Sequence, residues 1–287
     1  MQSLLKYFIY LNFFWVIIIF TFFIFGDTAL PQMSFYISPP LLEINQVGGG
    51  VKNFTVEISN TGQEKIQVKI SFSDLLLSSE GNVQLVYPIG STPHSLASWI
   101  TTKQDEIISL NPNEIKNLLF QINVPRGERG GRYGVIVFET LPFNTPQGKV
   151  SLGIRSGTLV FLTIPRTEEI KGIIEDISLI EGKEFKVAFR NNGNIHFEAE
   201  GSLIIKNEDG KVLHRIRFPE EKPFLLLPQG TGEFILQWDK KDPLPNGKYF
   251  LEARMLAWVG NRTLNLDRKE VLIELNVNKE NETEAKQ

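Results

Sequence analysis

Three histidines, His94, His196 and His214, are the side chains of this chain best suited to proton transfer or metal ligation, and they lie far apart in sequence. There is no His-x-x-x-His pair and no cysteine, so the ligand sets of a zinc site are missing. Gly48-Gly49-Gly50 has the composition of a phosphate-cradling loop. No Gly-Lys-Ser or Gly-Lys-Thr follows it, however, and it leads into a strand-like run at Val51, which makes it a turn. Carboxylates fall at alternate positions of strand-like runs or in turns such as 239–242, and no two of them can be singled out for glycoside hydrolysis. The expectation is a protein that is not an enzyme, with no catalytic, cofactor-binding or metal-binding residue and no cofactor. Asn53-Phe54-Thr55, Asn261-Arg262-Thr263 and Asn281-Glu282-Thr283 match the glycosylation acceptor pattern, which chance produces as readily.

If the chain works by contact, its elements must say where and against what. Residues 7–25, opening on Tyr7 and closing on Phe25, carry no charge, and only Asn12 and Thr21 are clearly polar. As a helix this run spans about 28 Å, close to the ~30 Å hydrocarbon core of a bilayer. Lys6 is the only basic residue before it and none follows until Lys52, so the expected topology has a cytoplasmic N-terminus and the remainder outside. The length favours a retained signal anchor over residues 1–32. A cleaved signal, leaving a secreted or periplasmic protein, is the alternative, although the nearest cleavage-like sequence, Asp27-Thr28-Ala29, carries an acid in the wrong place. The net charge of -3 is mixed along the chain, which argues against a nucleic-acid partner.

Behind the leader the pattern is of strands. Residues 51–59 place Phe54, Val56 and Ile58 on one face, and 65–72 repeat the alternation with Ile66, Val68, Ile70 and Phe72. Asn60-Thr61-Gly62-Gln63 between them reads as a turn joining two sequential antiparallel strands. A further alternating run covers 114–124. Residues 133–138 are apolar on both faces, as expected of a strand covered on both sides. In 150–164 the alternation of Val150, Leu152 and Ile154 meets Gly157, where a bend or bulge is expected. The apolar run stops at Pro165. A second series then follows at 170–177, 184–189, 197–205, 212–218, 233–238, 249–258 and 271–277, with Asn207-Glu208-Asp209-Gly210 as a hairpin turn. The fold class is therefore all-β, two tandem immunoglobulin-like sandwiches over 33–165 and 166–277, with a disordered tail at 278–287.

Particular stretches carry a resemblance. The sequences beginning Phe35-Tyr-Ile-Ser-Pro-Pro, Val51-Lys-Asn-Phe-Thr-Val-Glu-Ile-Ser-Asn-Thr-Gly, Ser95-Leu-Ala-Ser-Trp-Ile and Gly130-Gly-Arg-Tyr-Gly-Val-Ile-Val-Phe-Glu resemble a group of bacterial surface proteins. In that group a domain similar to the periplasmic pilus chaperones precedes a second immunoglobulin-like domain. Arg190-Asn-Asn-Gly and Leu244-Pro-Asn-Gly are similar to bacterial adhesion repeats, and the Pro-bearing first strand and Gly130-Gly131 also resemble peptidoglycan-binding proteins that partner WxL proteins. The chaperone resemblance implies that 152–162 corresponds to a strand that lends apolar side chains to a pilus subunit. It also implies a basic pair for the subunit's terminal carboxylate, but Pro39 or Pro40 and Gly157 stand at the corresponding positions.

The first expectation is a membrane-anchored scaffold outside the cytoplasm that engages a protein partner through a sheet edge or the groove between domains. Its candidate contact residues are Val150, Leu152 and Ile154. The second is a cell-wall or other glycan-binding module using Trp99, Trp258 and Tyr133, and the third is a chaperone-like role in surface-fibre assembly.

Overall fold

The computed structural model describes residues 34–141, 143–144, 151–180, 184–220, 222–238, 244–259 and 262–275, with backbone only at 143–144 and 151–152. The leader, Val150, Lys149 and the tail lie outside them. Among the described residues every regular element is a strand apart from a single 3-10 turn, Ala97–Trp99, and no helix is long and apolar enough to cross a membrane.

The protein is two tandem immunoglobulin-like sandwiches. The first is built from β1 (Phe35–Ser38), β2 (Leu41–Asn45), β3 (Val51–Asn60), β4 (Ile66–Leu77), β5 (Val83–Val86), β6 (Ile100–Thr102), β7 (Ile107–Leu110), β8 (Ile115–Asn123), β9 (Gly130–Thr140), β10 (Phe143–Asn144), β11 (Ser151–Leu152) and β12 (Arg155–Ile164). Its sheets have the orders β1-β3-β8-β6 and β2-β12-β9-β4-β5, with β7 beside β4 and a separate β10-β11 ladder. The second uses β13 (Gly172–Leu179), β14 (Glu184–Asn191), β15 (Phe197–Asn207), β16 (Val212–Phe218), β17 (Phe224–Leu226), β18 (Thr231–Gln237), β19 (Gly247–Val259) and β20 (Arg262–Leu275). Its sheets run β13-β14-β18 and β16-β15-β19-β20, with β17 beside β15.

Period-two alternation builds each core. Val56 and Ile58 of β3, Ile66, Val68 and Ile70 of β4, and Leu118, Phe120 and Ile122 of β8 meet between the first pair of sheets. Phe185, Val187 and Phe189 of β14 meet Leu203 and Ile205 of β15 and Leu251 and Ala253 of β19 in the second. Each large side chain so buried contributes about 1.5–3 kcal/mol. β9 is buried on both faces. Ile136 and Phe138 point into the first sandwich, while Tyr133, Val135 and Val137 point outward and join Leu75 and Phe161 under Leu227 of the second.

Several expectations from the sequence are corrected. β3 and β4 are not a hairpin: β3 pairs with β1 and β8, whereas β4 pairs with β5, β7 and β9 in the other sheet. The turn chemistry at Asn60 makes a corner between sheets instead. The buried Asn60 donates through Nδ2 to the Glu64 carbonyl at 2.7 Å and the Leu110 carbonyl at 3.2 Å, and its Oδ1 accepts from Gly62 N–H at 3.0 Å. Asn191 repeats the device, donating to the carbonyls of Ile195 (2.8 Å) and Leu226 (3.1 Å) and accepting from Gly193 N–H (2.9 Å). Either Asn→Ala change takes the side-chain donor from two carbonyls, while Gly62 N–H and Gly193 N–H keep the Ser34 and Lys171 carbonyls as acceptors, and at about 1–3 kcal/mol for each buried orphan we expect a loss of roughly 2–4 kcal/mol. The check is the urea midpoint at unchanged m; a loss below about 0.5 kcal/mol contradicts it.

The break in the donor run falls at Gly153-Ile154 and not at Gly157, which sits inside β12 opposite Val137. β20 extends nine residues further toward the N-terminus than the 271–277 run, to Arg262. Its polar half escapes the alternation because two of those side chains serve the edge of β13. Asp267 Oδ2 accepts from Ile174 N–H at 2.7 Å, and Lys269 Nζ donates to the Glu175 carbonyl at 2.5 Å.

Candidate partner-binding site

The site is built where the first strand changes sheets. β1 lies antiparallel to β3, the chain turns at Pro39-Pro40, and β2 lies parallel to β12 with Leu41 opposite Leu159 and Asn45 opposite Thr163. Pairing of β2 with β12 therefore begins only at Leu159, whose N–H donates to the Pro40 carbonyl at 2.9 Å. On its other side β12 pairs with β9 along its whole length, Arg155 to Ile164. Ile154 exchanges hydrogen bonds with Thr140 on the β9 side, its N–H donating to Oγ1 at 2.8 Å and its carbonyl accepting from Thr140 N–H at 2.9 Å. Backbone direction alternates along a strand, so Arg155 and Gly157 turn their polar backbone groups away from β9. Among the described residues no strand lies there.

The expected contact residues do not form one strand. Val150 is outside the described residues, Leu152 pairs opposite Phe143 in the short β10-β11 ladder, and Ile154 stands half-buried beyond the break. The bare edge that the structure supplies is their continuation, Arg155 to Gly157. The Arg155 guanidinium is directed along the sheet surface to Glu139 Oε2 at 2.8 Å and does not enter the groove between domains.

That groove has a volume of about 640 Å³. One wall is the outer face of β2 and β12, with Leu41, Glu43, Phe161 and Thr163. The other is Ile195, His196 and Glu198, with Trp258 and Val259 above them and Glu168 and Ile170 of the interdomain linker at one end. Its floor is held by Tyr133, whose Oη accepts from His196 N–H at 2.7 Å and lies 3.2 Å from His196 Nδ1. Tyr133, Phe161 and His196 meet edge to face, with ring centroids 4.9–5.6 Å apart. Gly131 N–H donates to the Asn194 carbonyl at 2.7 Å. Gly130, at φ 72°, lies where a Cβ would stand 2.5 Å from the same oxygen, so the Gly-Gly pair lets the two domains touch backbone to backbone.

Burial lowers the pKa of His196, against the upward pull of Glu43 Oε1 at 3.3 Å from Nε2. Burial likewise lowers that of His94, beside Arg132 and the Gly131 carbonyl on the far side of Tyr133. Both rings are thus neutral near pH 7. The unfolded chain binds these protons more readily than the folded one, so stability is complete above about pH 6.5 and falls as pH drops through the lowered folded values. Denaturation midpoints at pH 7.5 and 5.5 should differ in that direction, and a His196→Gln variant should narrow the gap; an unchanged gap contradicts this.

The buried carboxylates are structural. Asp74 accepts from Thr92 N–H at 3.0 Å and Ser95 Oγ at 2.5 Å, fixing the segment before the 3-10 turn. Glu252 is held by Lys206, Arg254 and Arg268 at 2.5–2.8 Å; burial raises its pKa, but hydrogen bonds from these three cations outweigh that and bring it down to about 2. No group of His, Asp and Glu among the described residues is arranged to hold a metal ion. The aromatics expected to stack on a glycan do not share a surface. Tyr133 is buried in the interdomain contact, Trp99 packs against the first core under Arg132, and Trp258 alone opens on the groove.

Glu43 and Phe161, paired opposite each other on β2 and β12, face the groove, and Pro39, Pro40 and Gly157 are not among the residues that line it.

No family model matches the chain, and no curated protein sequence matches it. Solved structures do. The class 5 fimbriae chaperone CfaA is 13% identical, with 84% of this chain and 100% of that one covered at a TM-score of 0.49. A chain of the complex of the Salmonella enterica SafA pilin with the SafB chaperone is 10% identical over 86% and 99% at 0.43. One from the CsuC-CsuE chaperone and tip subunit complex of Acinetobacter baumannii is 12% identical over 71% and 90% at 0.41. These are likenesses of strand arrangement, and what those proteins bind stays with them.

Proposed function

We propose that this chain is a non-enzymatic binding protein of the extracytoplasmic face, held to the membrane by residues 7–25, that takes up an extended segment of a protein partner by strand addition. The observation that supports this reading is the run Arg155–Gly157, beside which no strand lies among the described residues. It is an edge already aligned by β9, interrupted by β2 only at Leu159, and set beside an open groove. A chaperone-like part in surface-fibre assembly is the form of this reading that the resemblance of residues 33–164 favours. Capture would then rest on backbone pairing, since the groove offers a terminal carboxylate Glu43, Glu168 and Glu198 and no Lys or Arg.

A photo-reactive amino acid at the exposed Ser156 tests it in intact cells, with the exposed Glu208 of the distant β15-β16 turn as control. Adducts with a discrete protein at 156 and none at 208 are expected. No adduct at 156, or the same adducts at both, overturns the proposal.

A further inference from the structure

Resting on that reading, we infer that the groove between the sandwiches receives a cationic side chain, Lys or Arg, carried by the extended partner segment. Three exposed carboxylates, Glu43, Glu168 and Glu198, stand on its walls and no Lys or Arg lines it. Among the described residues none of the three is paired with a Lys or Arg, in contrast to the neighbouring Glu169, which holds Lys171 Nζ at 2.8 Å. The one nitrogen base within reach, His196, is neutral at neutral pH because it is buried, so it does not offset their charge. Like charges gathered at an open cleft are relieved when a cation enters.

The apolar part of the groove fits the stem of such a residue. Trp258, 38% exposed, and Leu41, 41% exposed, flank the carboxylates, offering a π face to a guanidinium or ammonium and an apolar surface to its methylenes. A bare divalent ion would need converging ligands, and the described residues hold no such group.

Geometry ties the groove to the edge. Arg155 and Gly157 have the same side-chain parity on β12 as Leu159, Phe161 and Thr163, the face that forms the groove wall. At about 3.3 Å per residue, Phe161 lies roughly 13 Å beyond Gly157. Because β2 fills the β12 edge from Leu159, a segment seated on 155–157 must leave the edge there and cross the outer face of β2, where a residue about four positions further on reaches the carboxylates. The charge is opposite to what a terminal carboxylate would require.

The test uses the full-length chain in mild detergent and capped, fluorescein-labelled peptides of about twelve residues, alternating Val and Thr. One carries Arg near each end, another Glu at the same places. Anisotropy titration should show the Arg peptide binding at least about tenfold tighter than the Glu peptide, and the preference should shrink with added salt. In the triple variant E43Q/E168Q/E198Q it should fall below about twofold, while E169Q keeps it. Equal binding of the two peptides to the native chain, or an undiminished preference in the triple variant, overturns the inference. The cellular adduct at position 156 separates the two claims. If it persists in a chain that shows no Arg preference, strand addition stands and the cationic groove falls; if it is absent and neither peptide binds, both fall.

Discussion

Replacing Tyr133 by Ala is expected to uncouple the two sandwiches, at a cost of about 3–5 kcal/mol. The ring is 1% exposed and touches Phe161 and His196 edge to face, with His94 on its other side, so its removal leaves a cavity in the middle of the interdomain contact. Its hydroxyl is the acceptor for His196 N–H at 2.7 Å, and burial pushes the pKa of that hydroxyl up, so it stays neutral. Without it the amide is an orphan donor at a half-buried site, adding about 1–2 kcal/mol. Calorimetry of the native chain should show one cooperative transition, because Leu75, Val135, Val137 and Phe161 of the first sandwich share a cluster with Leu227 of the second. The Ala variant should show two. A Tyr133→Phe variant keeps the ring and should lose only about 1–2 kcal/mol with the single transition intact. If Ala costs less than about 1 kcal/mol, or the melt stays single, the contact does not couple the domains.

The second large effect is expected at Arg155→Pro. Proline removes the N–H that faces the vacant side of β12 while leaving the β9 ladder, which runs through the neighbouring even-numbered residues, in place. A partner strand would lose a hydrogen bond and meet the pyrrolidine ring, and yield of the position-156 adduct should fall at least about tenfold. The same substitution breaks the ion pair with Glu139, so Arg155→Ala is the control. Exposed pairs of this kind contribute little, and Ala should retain adduct yield within about twofold. Equal losses in the two variants would place the effect in the side chain and remove the edge from the mechanism.

Much of the fold was legible because period-two alternation reports directly which face is buried: Val56 and Ile58, and Ile66 and Val68, were read onto one face of their strands and are buried in the first core. What alternation does not carry is which strand pairs with which. Asn60-Thr61-Gly62 looks like a hairpin turn and is a corner, because its side chain reaches the Leu110 carbonyl fifty residues away. The polar stretch of β20 was missed for a related reason: Asp267 and Lys269 act on β13, a strand ninety residues earlier. The run 150–154 reads as part of one strand, but Leu152 lies in β11 and Ile154 at the break before β12, a division that alternation does not report. The edge at 155–157, free of a paired strand among the described residues, depends on β2 joining β12 only at Leu159, and the groove on the docking of the domains at Gly130-Gly131 and Tyr133. One signal was available and unread: Glu43 shares strand parity with Leu41 and Asn45, and Glu198, the second residue of β15, shares it with His196.

The matching Asn60 and Asn191 corners give each half its own internal latch, closed on carbonyls of its own sandwich. Severing the linker near Arg166 should therefore not unravel either half. It would instead strip the lid from the oily exterior of β9, and a liberated N-terminal fragment should be sticky in solution until that surface is covered again.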